Sequence, residues 1–147
     1  MKVIGACKMF KRILVATDGS VHARKGLEKA VKMVEPYKSE VHIDLVYCVD
    51  VKDNSQILRY SDNREADALS KRMVAESMDY LHHEGISSSS FYLRGEPARM
   101  VLLYLKEHEY DCLVVGSRGR NDLQTLVLGS VSHKLAKHAK IPVLIAR

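Results

Sequence analysis

The chain has 147 residues, 46% of them hydrophobic and 28% charged, a length that suits one domain and a composition too aliphatic for overall disorder. Its 23 Lys and Arg exceed its 18 Asp and Glu, but the basic residues are scattered with no aromatic residues interleaved, which argues against nucleic-acid binding. No apolar run approaches the roughly 20 residues of a membrane span, and the opening Met1 to Phe10 lacks a signal-peptide core, so a cytoplasmic chain is expected.

Met9 stands just before the first strand-like run, so residues 1–9 are expected as a loose extension and residues 10–147 as the domain. Lys11 to Ala16 reads as a short buried strand closed by the turn cluster Thr17-Asp18-Gly19-Ser20. A helix follows, with Ala23, Leu27, Ala30, Val31 and Val34 on one stripe and Pro36 as its stop. Val41 to Val49 is the second strand. Val51 to Arg64 is polar and without period, so it is expected as a loop leading into a helix marked by Ala66, Leu69, Met73, Ser77 and Leu81 and ended by Gly85. Ser87 to Ser90 reads as a turn and Phe91 to Leu93 as the third strand. Pro97 suits the first turn of a third helix carrying Val101, Leu102 and Leu105. Cys112 to Val115 is a fourth strand, a helix with Val131, Leu135 and Ala139 inward begins near Ser130, and Val143 to Ala146 is the last strand.

Strands that are brief, β-branched and continuously apolar are those buried on both faces of a parallel sheet, and their alternation with helices predicts one doubly wound α/β domain. Cys7, Cys48 and Cys112 are odd in number and form no CxxC pair, so neither a disulfide framework nor a zinc site is expected. Cys48 and Cys112 lie in apolar runs and read as small buried residues.

Open parallel sheets bind ligands beyond the carboxyl ends of their strands. Two such loops stand out: Ala16-Thr17-Asp18-Gly19-Ser20 after the first strand, and Gly116-Ser117-Arg118-Gly119-Arg120 after the fourth, leading on to Gly129-Ser130-Val131-Ser132. Glycine lets backbone approach a ligand closely, and the free N–H groups at a helix start favour phosphate. Turn punctuation and an N-cap role for Ser130 account for the same residues equally well, and neither the dinucleotide nor the P-loop fingerprint is present. Arg118 and Arg120 suit either phosphate or solvent. His22 reads as a surface residue, and His82, His83, His133 and His138 have no carboxylate at metal-binding spacing.

The pattern Gly-x2-Gly-x9-Gly-Ser at Gly116, Gly119, Gly129 and Ser130 resembles the ATP-binding signature of the universal stress protein family. Arg12 to Ser20, Val114 to Gly119, Leu128 to Ser132 and Lys140 to Leu144 are similar to that family's other recognisable blocks, in order, over Phe10 to Arg147. The resemblance implies a five-stranded parallel sheet in the order 3-2-1-4-5 with helices on both faces, and a homodimer. It implies ATP beside Ala16, Thr17 and Asp18, with Asp18 near the phosphates and their Mg²⁺ or Mn²⁺. Adenine would meet the backbone around Cys48. Gly116, Ser117, Arg118, Gly119 and Arg120 would line ribose and phosphates, and Ser130, Val131 and Ser132 would hold the phosphate chain.

The function expected on this basis is a stress-response protein that binds ATP with a divalent metal and acts as a regulatory or interaction module, with an unidentified protein partner. An enzyme is not expected, because no nucleophile with a base and an orienting third group is legible in the chain. Two readings stand beside it: a slow ATPase or phosphotransferase using Asp18 and His22, and a ligand-free dimeric scaffold. Val143 to Ala146 is apolar, carries no charge between Lys140 and Arg147 and has Pro142 at its start, so it is the strand expected to meet its symmetry mate.

Overall fold

The computed structural model of the chain describes residues 10–18, 21–49, 60–116 and 129–146, with backbone alone at 21–22, 49, 60–67 and 69–70. The expected extension at residues 1–9 and the segment 51–59 lie outside the described residues. The elements follow in the order β1 (Arg12–Thr17), α1 (Val21–Val34), a short 3₁₀ helix (Glu35–Glu40), β2 (His42–Val49), α2 (Tyr60–His83), β3 (Ser87–Arg94), α3 (Pro97–Glu107), β4 (Cys112–Gly116), α4 (Ser130–His138) and β5 (Val143–Ala146). All pairings are parallel and the strands lie in the order β3-β2-β1-β4-β5, the arrangement that the resemblance implies.

Alternate residues of each central strand face opposite sides, which is why the strand sequences read as unbroken apolar runs. Ile13 and Val15 of β1, Ile43 and Leu45 of β2, and Cys112 and Val114 of β4 face α1 and α2, where Leu27, Ala30, Val31, Val34, Val74 and Leu81 meet them. Leu14, Val46, Leu113 and Val115 face the other way, against Ala98 and Val101 of α3 and Leu135 of α4. Each such aliphatic side chain removed from water contributes about 1.5–3 kcal/mol, so the two layers together hold the sheet.

The predicted stripe of α1 is buried at every position, from Ala23 to Val34. Pro36 ends α1 as expected, and the chain tightens into the 3₁₀ helix rather than leaving helical geometry at once. Two expectations are corrected. Ser87 to Ser90 is no turn: these residues pair in register with His42 to Leu45 as the first half of β3. Serine has little strand preference of its own, but ladder pairing with β2 overrides it, and an edge strand tolerates polar residues. Tyr60 to Arg64 belongs to α2 and not to a loop, since a polar first turn forms helix without any apolar period to announce it. On α2 the fully buried residues include Val74, which the expected stripe omitted, while Met73 and Ser77 are half-buried.

Candidate functional site

The winding reverses between β1 and β4, which are neighbours in space although six elements separate them in sequence. Their carboxyl ends therefore open a crevice at a topological switch point. Ala16 is paired with Val115, so Thr17 and Asp18 emerge beside Gly116. Ala16 and Thr17 are half-buried at this lip and Asp18 is exposed.

Helix α4 starts at the same crevice. Ser132, only 5% exposed, donates its hydroxyl hydrogen to the Gly116 carbonyl at 2.6 Å. That bond ties the first turn of α4 to the last residue of β4. The hydroxyl proton of Ser132 is thereby engaged within the protein, and what this residue offers a ligand is its backbone N–H. Ser130 is exposed and Val131 half-buried, packed against the core beside Leu135. Ser117, Arg118, Gly119 and Arg120, the middle of the expected glycine loop, lie outside the described residues.

The helices α3 and α4 begin differently. At α3 the Glu96 carboxylate accepts from the backbone N–H groups of Arg99 (2.9 Å) and Ala98 (3.3 Å), so the helix caps itself. The Arg99 N–H bond holds the Glu96 carboxyl below its ordinary range, against the opposing effect of burial and with help from Ala98 and from Lys134, 3.7 Å away on α4. At α4 the N-cap position is Gly129, which has no side chain to offer. Gly129 thus leaves the first-turn amides of α4 and the positive end of its dipole at the crevice without a cap from the N-cap residue's own side chain.

Cys48, near the end of β2, is half-buried rather than fully enclosed, with its thiol 3.8 Å from the Pro97 carbonyl. Cys112 is buried as expected, and burial pushes its thiol pKa up, which makes it a poor nucleophile. Among the described residues no group of three His, Cys, Asp or Glu side chains is placed to hold a metal ion.

The sequence reading missed a second polar cluster, at the opposite end of the sheet. Asp44 is 3% exposed within β2. One carboxylate oxygen accepts from the Tyr110 hydroxyl at 2.6 Å and the other meets His42 Nε2 at 2.7 Å. The Arg12 guanidinium lies 3.9 Å from Asp44 and over the Tyr110 ring. Burial foremost, then the hydrogen bond to Asp44, pushes the Tyr110 phenol far above its ordinary pKa. The available signal was the pair His42 and Asp44 inside an apolar run: residues two apart in a strand share a face.

Comparison with known proteins identifies the class. The model of the universal stress protein family matches residues 9–147. The chain is 33% identical over 148 residues to universal stress protein YxiE of Bacillus subtilis, covering 95% of this chain and all of that one. Among solved structures it resembles universal stress protein UspA from Lactobacillus plantarum, with a TM-score of 0.81 at 22% identity over 94% of this chain and 98% of that one. It also resembles a universal stress protein family protein from Arabidopsis thaliana with AMP bound, with a TM-score of 0.72 at 24% identity over 92% of this chain and 90% of that one. The chain belongs to the universal stress protein family.

Proposed function

We propose that this protein binds ATP, with Mg²⁺ or Mn²⁺, at the crevice between β1 and β4 and works as a regulatory or interaction module in a cytoplasmic stress response. The observation that carries the reading is the start of α4: first-turn amides behind an N-cap glycine that has no side chain to cap them, held against the end of β4 by the Ser132 hydroxyl. A polyanion at that place would accept amide hydrogen bonds and meet the positive end of the helix dipole, as the Glu96 carboxylate does at the start of α3. The AMP in the Arabidopsis relative supports the adenine-nucleotide class. Asp18, exposed at the lip, would repel phosphate oxygens unless a divalent cation lay between them, so metal and nucleotide are expected to bind together.

Isothermal calorimetry with ATP, in the presence and absence of Mg²⁺, tests both parts. Chelating the metal is expected to weaken ATP more in the native protein than in Asp18→Asn. Equal metal dependence in the two would remove Asp18 from the site, and no nucleotide binding at all would remove the reading.

Assembly is part of the same proposal. β5 is an edge strand, and Val143, Leu144 and Ile145 are half-buried in the single chain. Two copies meeting through Val143 to Ala146 about a twofold axis would cover this edge in both.

A further inference from the structure

We propose that Ser87, His42 and Asp44 form a nucleophilic site, separate from the β1–β4 crevice, at which Ser87 takes an acyl group from activated, apolar acyl esters. The register of β2 and β3 sets His42 opposite Ser87, so that the Ser87 hydroxyl lies 2.8 Å from His42 Nδ1. The other ring nitrogen, Nε2, lies 2.7 Å from the Asp44 carboxylate. A carboxylate only accepts hydrogen bonds, so Nε2 carries the hydrogen and donates to Asp44. In the neutral ring Nδ1 is then an acceptor, and the Ser87 hydroxyl must donate to it. This is a hydroxyl with a base against its proton, and a base with its tautomer set by a third group.

The supporting shell is rigid where it needs to be and open where a reagent must enter. Asp44 is held on its far oxygen by the Tyr110 hydroxyl at 2.6 Å, and it is buried, while Ser87 is exposed. β3 is an edge strand, so an ester can reach Ser87 from the outer side. Ser87, Ser89 and Phe91 share one face of β3 by their spacing of two. Phe91, 37% exposed, packs against Tyr104 at 5.7 Å between ring centres, and Tyr104 continues to Tyr110 at 6.0 Å. This aromatic row, which begins at the Tyr110 bonded to Asp44, suits an apolar acyl or aryl group. The site lies at the amino end of β2, about 20 Å along the strand from its carboxyl end, so a nucleotide in the β1–β4 crevice does not reach it.

In the acylation step the Ser87 oxygen forms a bond to the ester carbonyl carbon and the bond from that carbon to the leaving oxygen breaks. The serine proton passes to His42 Nδ1 and from there to the leaving alkoxide or phenolate. Acyl-serine and an alcohol or phenol are the products, and His42 returns to its neutral form.

The test treats the full-length protein with p-nitrophenyl acetate and, separately, with an alkyl fluorophosphonate, following p-nitrophenolate release and locating the adduct by tandem mass spectrometry. One adduct is expected, on Ser87 and not on Ser88, Ser89 or Ser90 of the same strand. His42→Ala should slow its formation by about a hundredfold or more. Ser89→Ala should leave the rate unchanged, and Ser87→Ala should abolish the adduct. No adduct in the native protein, labelling spread evenly over the four serines, or equal rates in native protein and a His42→Ala variant with a cooperative melt would each overturn the proposal. If His42→Ala does not fold, the position of the adduct in the native protein decides alone.

Discussion

Two side chains carry charge relationships strong enough to measure. Tyr110 supplies the hydrogen bond that satisfies one oxygen of the buried Asp44. In Tyr110→Phe that oxygen loses its hydrogen bond and, among the described residues, keeps the Arg12 guanidinium at 3.9 Å, and an under-satisfied buried carboxylate costs about 1–3 kcal/mol. A lowered denaturant midpoint at unchanged slope is the expected result, and an unchanged midpoint would show that water replaces the phenol without loss. Glu96 makes a prediction with a sign. Its carboxyl pKa is lowered on folding, chiefly by the Arg99 N–H, so its contribution is present above the ordinary carboxylate pKa and is lost as pH falls through the lower folded value. Glu96→Gln should therefore destabilise the protein at neutral pH by about 1 kcal/mol, the ordinary worth of an N-cap. Melts of the two proteins should converge as the pH drops well below about 4. A constant gap across that range would assign the effect to packing instead of charge.

At the scale of the element, α1 shows what periodicity delivers and what it leaves out. Its apolar stripe was legible because a helix that covers a sheet must present one face. Gly26 is buried on the same side of that helix although the expected stripe omits it. A Cβ built there meets Gly116 N at 3.6 Å and the Ala146 Cβ at 3.7 Å, which is ordinary contact. Gly26→Ala should then raise stability by about 0.5–1 kcal/mol through helix propensity alone, read as a higher midpoint of thermal unfolding. A lower midpoint would mean that α1 needs a closer approach to β4 and β5 than these distances allow. β3 shows the opposite case. Four consecutive serines carry no strand signal, and only pairing with His42 to Leu45 makes them one.

For the whole molecule, strand order determines what meets what. β1 and β4 adjoin, so Asp18, Gly116 and the start of α4 gather at one crevice from three parts of the chain. Gly129→Val should weaken ATP by more than tenfold, or about 1.4 kcal/mol, in calorimetry, with little change in the melt of the ligand-free protein. Unchanged affinity would take the α4 amides out of the phosphate cradle. The same order leaves β5 at an edge. Light scattering at tens of micromolar should accordingly give twice the 16.6 kDa of one chain, and a monomer alone would contradict pairing through Val143 to Ala146.

The sequence by itself determined the alternation of strand and helix, the buried runs, the α1 and α3 faces and the blocks at Thr17-Asp18 and Gly129-Ser130, because these depend on local periodicity and on residues adjacent in the chain. Only the tertiary structure decided that the Ser132 hydroxyl is spent on Gly116, that Glu96 caps α3, and that His42, Asp44, Tyr110 and Ser87 form one network. Those contacts join residues between 2 and 66 positions apart. Strand register, which no local pattern encodes, brings Ser87 to His42, and the packing of Tyr110 over β1 and β2 brings it to Asp44.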